Sequence, residues 1–191
     1  MTGRRADARR NYALLLEVAE KAIAEEGADA SLERIARTAG VGSGTVRRHF
    51  PTRHALLAAV FRKRIDALHA EALARTESAD SRAALLQWLG SVIASAATIR
   101  GLAVALTRDT LADPNESHDH CASARLAEAG EPLVRRAAAD GALAPNVTVA
   151  DLLTLVTGIA LVTESHPDPA AEAIRLLDLT VVGVSPDRGR R

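Results

Sequence analysis

The fold is decided by residues 31–50, which read SLERIARTAGVGSGTVRRHF. The first part of this stretch has apolar residues at helical spacing, at Leu32, Ile35, Ala36 and Ala39. The second part has Val46 and Phe50, four residues apart, with two arginines and a histidine between them. A turn with two glycines separates the parts. Of the apolar residues, Leu32, Ile35, Ala36, Val46 and Phe50 are expected to be core residues and not DNA contacts. The stretch therefore predicts two short helices, the second with one apolar and one cationic face, which is the arrangement that enters the DNA major groove.

The chain on either side of this motif also has the apolar spacing of helices. A helix is predicted over 9–26, and Gly27 ends it, because glycine adopts the left-handed conformation that closes a helix. Ser31 is a predicted N-cap, and Phe50 ends the third helix, since a residue before proline avoids helical geometry. Thr52 is the predicted cap of a fourth helix, which contains Leu56, Leu57, Val60, Phe61, Ile65 and Leu68. Further helices are predicted over 80–97, 99–112, 116–140, 149–165 and 169–183. No stretch indicates a strand, so the predicted fold is all-α.

The predicted organisation is two helical domains with a short extension at each end. The segments are a basic N-terminal arm (1–8), a three-helix DNA-binding domain (9–64) that contains the helix-turn-helix (31–50), a larger helical domain (65–185) and a disordered tail (186–191). Residues 1–64 contain 13 Lys or Arg against 7 Asp or Glu, whereas 65–191 contain 11 against 17. Uneven solvated charge is one explanation, and a polyanionic partner for the front half is the other.

The sequence predicts a cytoplasmic protein without a membrane partner. No apolar run is long enough to span a membrane, and no secretory signal follows Met1. Cys121 is the only cysteine, so an intrachain disulfide is impossible, which fits a reducing compartment.

Residues 9–61 resemble the TetR family of bacterial transcription regulators. The resemblance is carried by Gly27, Ser31, Ile35-Ala36, Ala39-Gly40-Val41, Gly44-Thr45, His49-Phe50, Thr52-Arg53 and Leu56-Leu57. Residues 65–191 resemble the family's ligand domain in helix number, order and length. The resemblance implies a homodimer that binds a near-palindromic operator in double-stranded DNA, and a small-molecule effector that releases it.

Two positions depart from the family's pattern. Gly42 stands where the family often has a serine that caps the recognition helix, and Ser43 follows it. Arg47 stands where the family usually has a tyrosine that contacts phosphate. An arginine binds either phosphate or a guanine edge, so the expected binding mode survives while the individual contacts change.

The predicted DNA contacts lie on the third helix, at the start of the fourth and in the arm. They are Ser43, Gly44, Thr45, Arg47, Arg48, His49, Arg53, Arg4, Arg5, Arg9 and Arg10. Gly44 allows a close approach to the DNA backbone, and Thr45 offers a hydroxyl to phosphate and a methyl to thymine. His49 either contacts phosphate, as the resemblance implies, or packs on Phe50. The four arginines of the N-terminal segment either follow the DNA or stay solvated.

The larger domain contains the predicted effector pocket and dimer interface. Pocket candidates are Trp88, Leu106, Arg108 and His118, with a core role as the alternative for the tryptophan. The helix over 149–165 is apolar nearly all round, which indicates burial on more than one side, either within its own subunit or against a second one. The predicted interface comprises Leu152, Leu155, Val156, Ile159, Val162, Ile174, Leu177 and Val181.

The sequence predicts no metal, no cofactor and no enzymatic activity. His118, His120 and Cys121 are of ligand type, but only the first and last share a helix face, so a polar first turn is the preferred interpretation. Cys121 is expected to be a small core residue, with a redox sensor as the alternative. Nucleophile elbows, phosphate loops and paired-carboxylate motifs are absent.

Two functions remain open from the sequence. The leading one is a ligand-responsive repressor. The alternative is an architectural DNA-binding dimer without ligand control, in which residues 65–191 serve only dimerisation.

Overall fold

The computed structural model describes residues 2–26, 30–99, 101–104, 122–144 and 146–182, and all side chains there except those of 2–9, 26, 53 and 54. Its helices within these ranges are α1 (Thr2–Glu26), α2 (Leu32–Thr38), α3 (Ser43–His49), α4 (Arg53–Arg75), α5 (Ser81–Thr98), α6 (Ala122–Ala139), α7 (Val149–Thr163) and α8 (Pro169–Val182). The described residues contain no strand, which confirms the all-α prediction.

Within the described residues, the helix boundaries agree with the predicted ones to within two residues except at the N-terminus, and the predicted start of the helix over 116–140 lies outside the described ranges. α1 begins at Thr2 rather than at residue 9, so most of the predicted arm is the start of this helix. The reason is local, because Arg4, Arg5 and Ala6 favour helix and no proline interrupts them. Of the helix predicted over 99–112, a helical turn at 102–104 lies within the described residues.

The chain divides into two compact units. The first contains Met1–Arg64 with Ile99–Gly101, and the second contains Ile65–Thr98 with Leu102–Arg191. Within the described residues, no helix of either unit is both long and apolar enough to cross a membrane.

The first unit is built on the side chains that the sequence predicted to be its core. Ile35, Ala36, Val46 and Phe50 are all buried, as predicted, whereas Leu32 is only half-buried. α2 begins at Ser31, whose hydroxyl accepts a hydrogen bond from the Arg34 N–H at 3.4 Å. Its end requires a left-handed residue, and Gly40 supplies it with a φ of 66°.

In the second unit, α5 contacts α6, α7 and α8, and α7 contacts both α6 and α8. α6 has one buried face, formed by residues at helical spacing, namely Leu126, Ala129, Gly130, Leu133, Val134 and Ala137. α7 begins with a capping box in which Thr148 and Asp151 exchange hydrogen bonds. The bond from the Thr148 hydroxyl is the main reason why the pKa of the Asp151 carboxyl lies below its usual value.

Arg136 ties α6 to the loop between α4 and α5. Its guanidinium donates hydrogen bonds to the backbone oxygens of Thr76 and Ser78, the latter at 2.6 Å. These carbonyls follow the end of α4 and have no helical partner of their own, so the arginine satisfies acceptors that the loop leaves free.

The centre of the second unit is the contact between Trp88 and Gly130. The Trp88 ring is fully buried, and its Nε1–H donates to the backbone oxygen of Leu68 at 3.0 Å. A Cβ atom at Gly130 would lie 2.6 Å from the Trp88 ring atom Cζ3 and 2.8 Å from the Val149 Cγ2. Both distances are too short for carbon atoms, so only glycine lets α6 approach the indole this closely.

We expect Gly130→Ala to destabilise the second unit. The overpacking costs about 1–3 kcal/mol, which exceeds the gain of roughly 1 kcal/mol from replacing a helical glycine by alanine. The measurement is the urea midpoint followed by the fluorescence of Trp88, the only tryptophan in the chain.

The matched control is Gly90→Ala in α5, because nothing lies within 4 Å of a Cβ there. This variant is expected to keep or raise the midpoint. Equal midpoints for the two variants would contradict the tight contact at Gly130.

Candidate nucleic-acid interface

Six of the eleven predicted DNA contacts lie on α3, and four of these six are exposed. Gly42, Ser43, Gly44, Arg47 and Arg48 are exposed, and Thr45 is half-buried. The opposite face holds the side chain of Val46, which is 1% exposed, and Phe50 directly after the helix is equally buried. The apolar face therefore fixes the orientation of α3, and the polar face is left free for a groove.

The N-terminus of α3 has the departure that the sequence indicated. Gly42 is the N-cap, and no side chain caps the helix there. A Cβ at Gly44 would meet nothing within 4 Å, so this position is open on the outer face, as a close approach to a DNA backbone requires.

A contact that the sequence did not predict joins α2 to the exposed face of α3, which we call the recognition face. The Glu33 carboxylate accepts a hydrogen bond from the Arg47 Nη2 at 3.5 Å, and both side chains are more than half exposed. Glu33 also accepts from the Ser31 hydroxyl at 3.1 Å. The pair spans 14 residues of sequence, so helical spacing contains no signal for it.

The Glu33 carboxyl is held in its charged form. Its pKa lies below the usual value, first because of a hydrogen bond from the backbone N–H of Glu33 itself and next because of the Ser31 hydroxyl. The start of α2 therefore presents a negative charge directly beside an arginine that faces outward.

His49 has the packing that was the alternative to a phosphate contact. Its ring meets the edge of the Tyr12 ring at a centroid distance of 5.6 Å and lies 6.3 Å from Phe50. Tyr12 in turn stacks on Phe50 at 5.2 Å. The His49 side chain is half-buried, so part of it remains open to solvent, and the phosphate contact stays a prediction.

The remaining predicted contacts lie at the edges of the described structure. Arg10 is exposed on α1, and Arg53 begins α4. The side chains of Arg4, Arg5, Arg9 and Arg53 lie outside the described residues. The roles of all five in DNA binding therefore stay predictions.

The second unit contains a cavity with which one of the four predicted pocket residues can be compared. This cavity has a volume of about 230 Å³ and lies between α5, the end of α6, α7 and α8. Trp88 does not line it, because the ring is enclosed in the core, which is the alternative that the sequence left open. Leu106, Arg108 and His118 lie outside the described residues.

Two of the predicted dimer-interface residues are corrected by their burial. Val156 is 0% exposed and Leu177 is 5% exposed within their own chain, so neither reaches a second subunit. Of the others, Val162 is 78% exposed, Leu155 and Ile174 are exposed, and Leu152, Ile159 and Val181 are half-buried. Leu179 and Val182 on α8 are also exposed and are not among the predicted interface residues.

The metal interpretation of His118, His120 and Cys121 concerns residues that lie outside the described ranges. Elsewhere in the part of the chain that the structure describes, no group of three or more His, Cys, Asp or Glu is placed to hold a metal ion.

Two family models match the chain, and together they cover both units. Residues 15–60 match the model described as bacterial regulatory proteins of the tetR family. Residues 80–186 match the C-terminal domain of SbtR-like transcriptional regulators. No curated protein matches the chain significantly.

Solved structures of regulators have the same fold. The TetR transcriptional regulator SCO0520 from Streptomyces coelicolor is 36% identical over 91% of this chain and 98% of its own, with a TM-score of 0.68. A TetR regulatory protein from Mycobacterium vanbaalenii is 34% identical over 84% and 96%, with a TM-score of 0.62. LfrR from Mycobacterium smegmatis, solved with proflavine, is 23% identical over 96% and 99%, with a TM-score of 0.62. The chain therefore belongs to the TetR family and is a DNA-binding transcriptional regulator.

Proposed function

We propose that this regulator is a homodimeric repressor that leaves a near-palindromic operator when a small molecule binds the second unit. The observation that carries the proposal is the outward face of α3, where Arg47 and Arg48 are exposed opposite the buried Val46. TetR regulators bind DNA operators and small-molecule ligands and act as dimers. Two copies of α3 related by a two-fold axis then read two half-sites about one helical turn of DNA apart, or a multiple of it.

Arg47 and Arg48 are each proposed to contact either a base or a phosphate, and the two kinds of contact have different effects. An arginine that forms a bidentate pair with guanine discriminates by about 1–3 kcal/mol, whereas one on phosphate adds affinity without sequence preference. Glu33 is proposed to compete with DNA for Arg47, because the carboxylate occupies the guanidinium in the free protein. His49, Thr45 and Ser43 complete the contact surface.

Ligand control is supported by the cavity between α5, α6, α7 and α8. A ligand shifts the regulator toward the state that it binds more tightly, and operator release follows when that state no longer matches the half-site spacing. An architectural DNA binder needs no such cavity, which is why the ligand-responsive function is preferred.

We expect selection from a random DNA pool with the purified full chain to recover a two-fold pseudo-palindrome. In the recovered site, Arg→Ala at position 47 or 48 relaxes the preference at one base pair of each half-site if that arginine reads a base. If it binds phosphate, the variant lowers affinity evenly for all sequences and reduces the salt slope. Recovery of no motif, with salt-sensitive binding to all DNA, would overturn specific repression and favour the architectural function.

We expect Glu33→Gln to raise operator affinity, because it frees Arg47 and removes a negative charge from the surface that faces phosphate. Exposed ion pairs contribute about 0.2–1 kcal/mol, so the gain is at most about fivefold and shrinks as salt rises. Fluorescence anisotropy with the selected operator measures it.

The control for this prediction is Glu25→Gln, which removes the same charge from an exposed position of α1. An equal gain in operator affinity for both variants would show that the gain comes from net charge and not from the release of Arg47. A loss of affinity in Glu33→Gln would contradict competition and indicate that Glu33 orients Arg47 toward DNA.

The dimer interface is proposed to lie on the outer faces of α7 and α8. Exposed large apolar side chains on these helices are Leu155, Val162, Ile174, Leu179 and Val182. Apolar residues that cluster on a surface commonly form a protein–protein contact. Gly158 lies on the same face of α7 and is exposed. A Cβ at this position would meet nothing within 4 Å, so a helix of a second subunit can approach closely there.

We expect Val162→Asp to yield folded monomers with weak operator binding. Val162 is 78% exposed, so the charge leaves the subunit core intact, whereas Ile159 is half-buried and is a less clean site for the same test. Sedimentation equilibrium measures the mass. Leu73→Asp, at an exposed leucine of α4, is the control and should remain a dimer. A dimeric Val162→Asp protein would contradict this interface.

A further inference from the structure

The cavity of the second unit has an almost wholly apolar wall. Its lining comprises Arg82, Leu85, Leu86, Leu89, Ala137, Ala142, Leu143, Val147, Leu152, Leu155, Val156, Leu177, Thr180 and Val181. Twelve of these fourteen side chains are aliphatic, and no acidic residue is among them. Thr180 donates its hydroxyl proton to the backbone oxygen of Leu176 at 2.9 Å, so this group is already satisfied. An apolar wall of this kind selects an apolar molecule.

Arg82 is the single charged residue of the lining. It is an exposed residue, and its guanidinium has neither an ion pair nor a hydrogen bond with the described residues. It also lies in the first turn of α5, where the helix dipole disfavours a cation and favours an anion. The cavity therefore combines an apolar interior with one arginine that has no anionic partner in the described part of the chain.

We propose that this cavity binds a small amphipathic carboxylic acid, with its hydrocarbon chain among the leucines and its carboxylate paired with Arg82. An arginine binds a carboxylate through two parallel N–H donors, which makes it the appropriate partner for this head group. The proposal rests on the ligand-responsive function proposed above and specifies the ligand class for it.

The size of the cavity limits the length of the chain. At about 30 Å³ for each atom of water size, 230 Å³ accommodates about eight carbon atoms, with the two carboxylate oxygens outside at the exposed Arg82. Each buried methylene strengthens binding about fourfold, and this gain ends when the cavity is full. Affinity is therefore expected to rise from butanoate to octanoate and to level off beyond it.

The position of the cavity connects the ligand to the proposed dimer contact. Leu155 lines the cavity and is also exposed, and Leu152 and Val181 line it from α7 and α8. The ligand thus touches both helices of the proposed interface, and Leu155 belongs to the cavity wall and to that interface alike. A change in the spacing of α7 and α8 on ligand binding would act directly on the dimer.

The test is isothermal titration calorimetry of the purified full chain with butanoate, hexanoate, octanoate, dodecanoate and octan-1-ol. We expect one octanoate per chain and at least about tenfold weaker binding of octan-1-ol, which has no anionic head group. Arg82→Gln should weaken octanoate to the level of the alcohol. Arg135→Gln, at an exposed arginine of α6 that does not line the cavity, should bind octanoate normally.

A second variant tests the cavity itself. Ala142→Phe introduces a ring from a half-buried lining position in the loop after α6, and it should abolish binding of both octanoate and octan-1-ol. Trp88 fluorescence and the urea midpoint establish that this variant is folded. Octanoate binding that survives either Arg82→Gln or Ala142→Phe unchanged, or an affinity independent of chain length, would overturn the proposal.

Operator release is measured separately, by anisotropy with and without octanoate. If octanoate binds as described but leaves operator affinity unchanged, the cavity assignment stands and ligand release by this site is refuted. If octanoate does not bind while the chain still selects a pseudo-palindrome, the ligand class is refuted and the specific regulator stands.

Discussion

The recognition face depends on the burial of Val46 and Phe50 in the first unit. α3 has seven residues, and a helix of two turns is not stable alone in water, so tertiary packing of its apolar face supplies the stability. The same packing fixes which side of the helix faces outward. Arg47 and Arg48 are exposed because their neighbour at position 46 is not. A polar residue at Val46 would thus destabilise α3 without changing the two arginines on its exposed face.

Much of this architecture follows from the sequence, because it depends on residues that are close in the chain. The bounds of α3, the cap at Ser31 and the burial of Ile35, Ala36, Val46 and Phe50 all reflect spacing within a few residues. The predicted start of α1 is wrong, because a run of arginines indicates a solvated arm and a helix equally. Arginine has a high helix propensity, and here the helix forms. The Glu33–Arg47 pair was not predictable, since it joins two helices across a turn.

The second unit shows where sequence patterns fail. Apolar periodicity identifies which residues face inward, but it does not tell a filled interior from a cavity. Trp88 is large enough to line a pocket, yet Gly130 allows α6 to close against it, and that fit depends on two helices that are distant in sequence. The cavity lies instead among smaller side chains near the start of α5 and the end of α6, and Arg82 is part of its wall. Val156 and Leu177 were assigned to a subunit contact for the same reason, because apolarity alone does not distinguish core from interface.

The ionisation of Glu33 has a consequence for acidity. A carboxyl group whose pKa is depressed keeps its charge as the pH falls through the range in which ordinary glutamates begin to take up protons. The pair with Arg47 therefore persists under mild acidification. Because both partners are exposed, the pair weakens instead as the ionic strength rises.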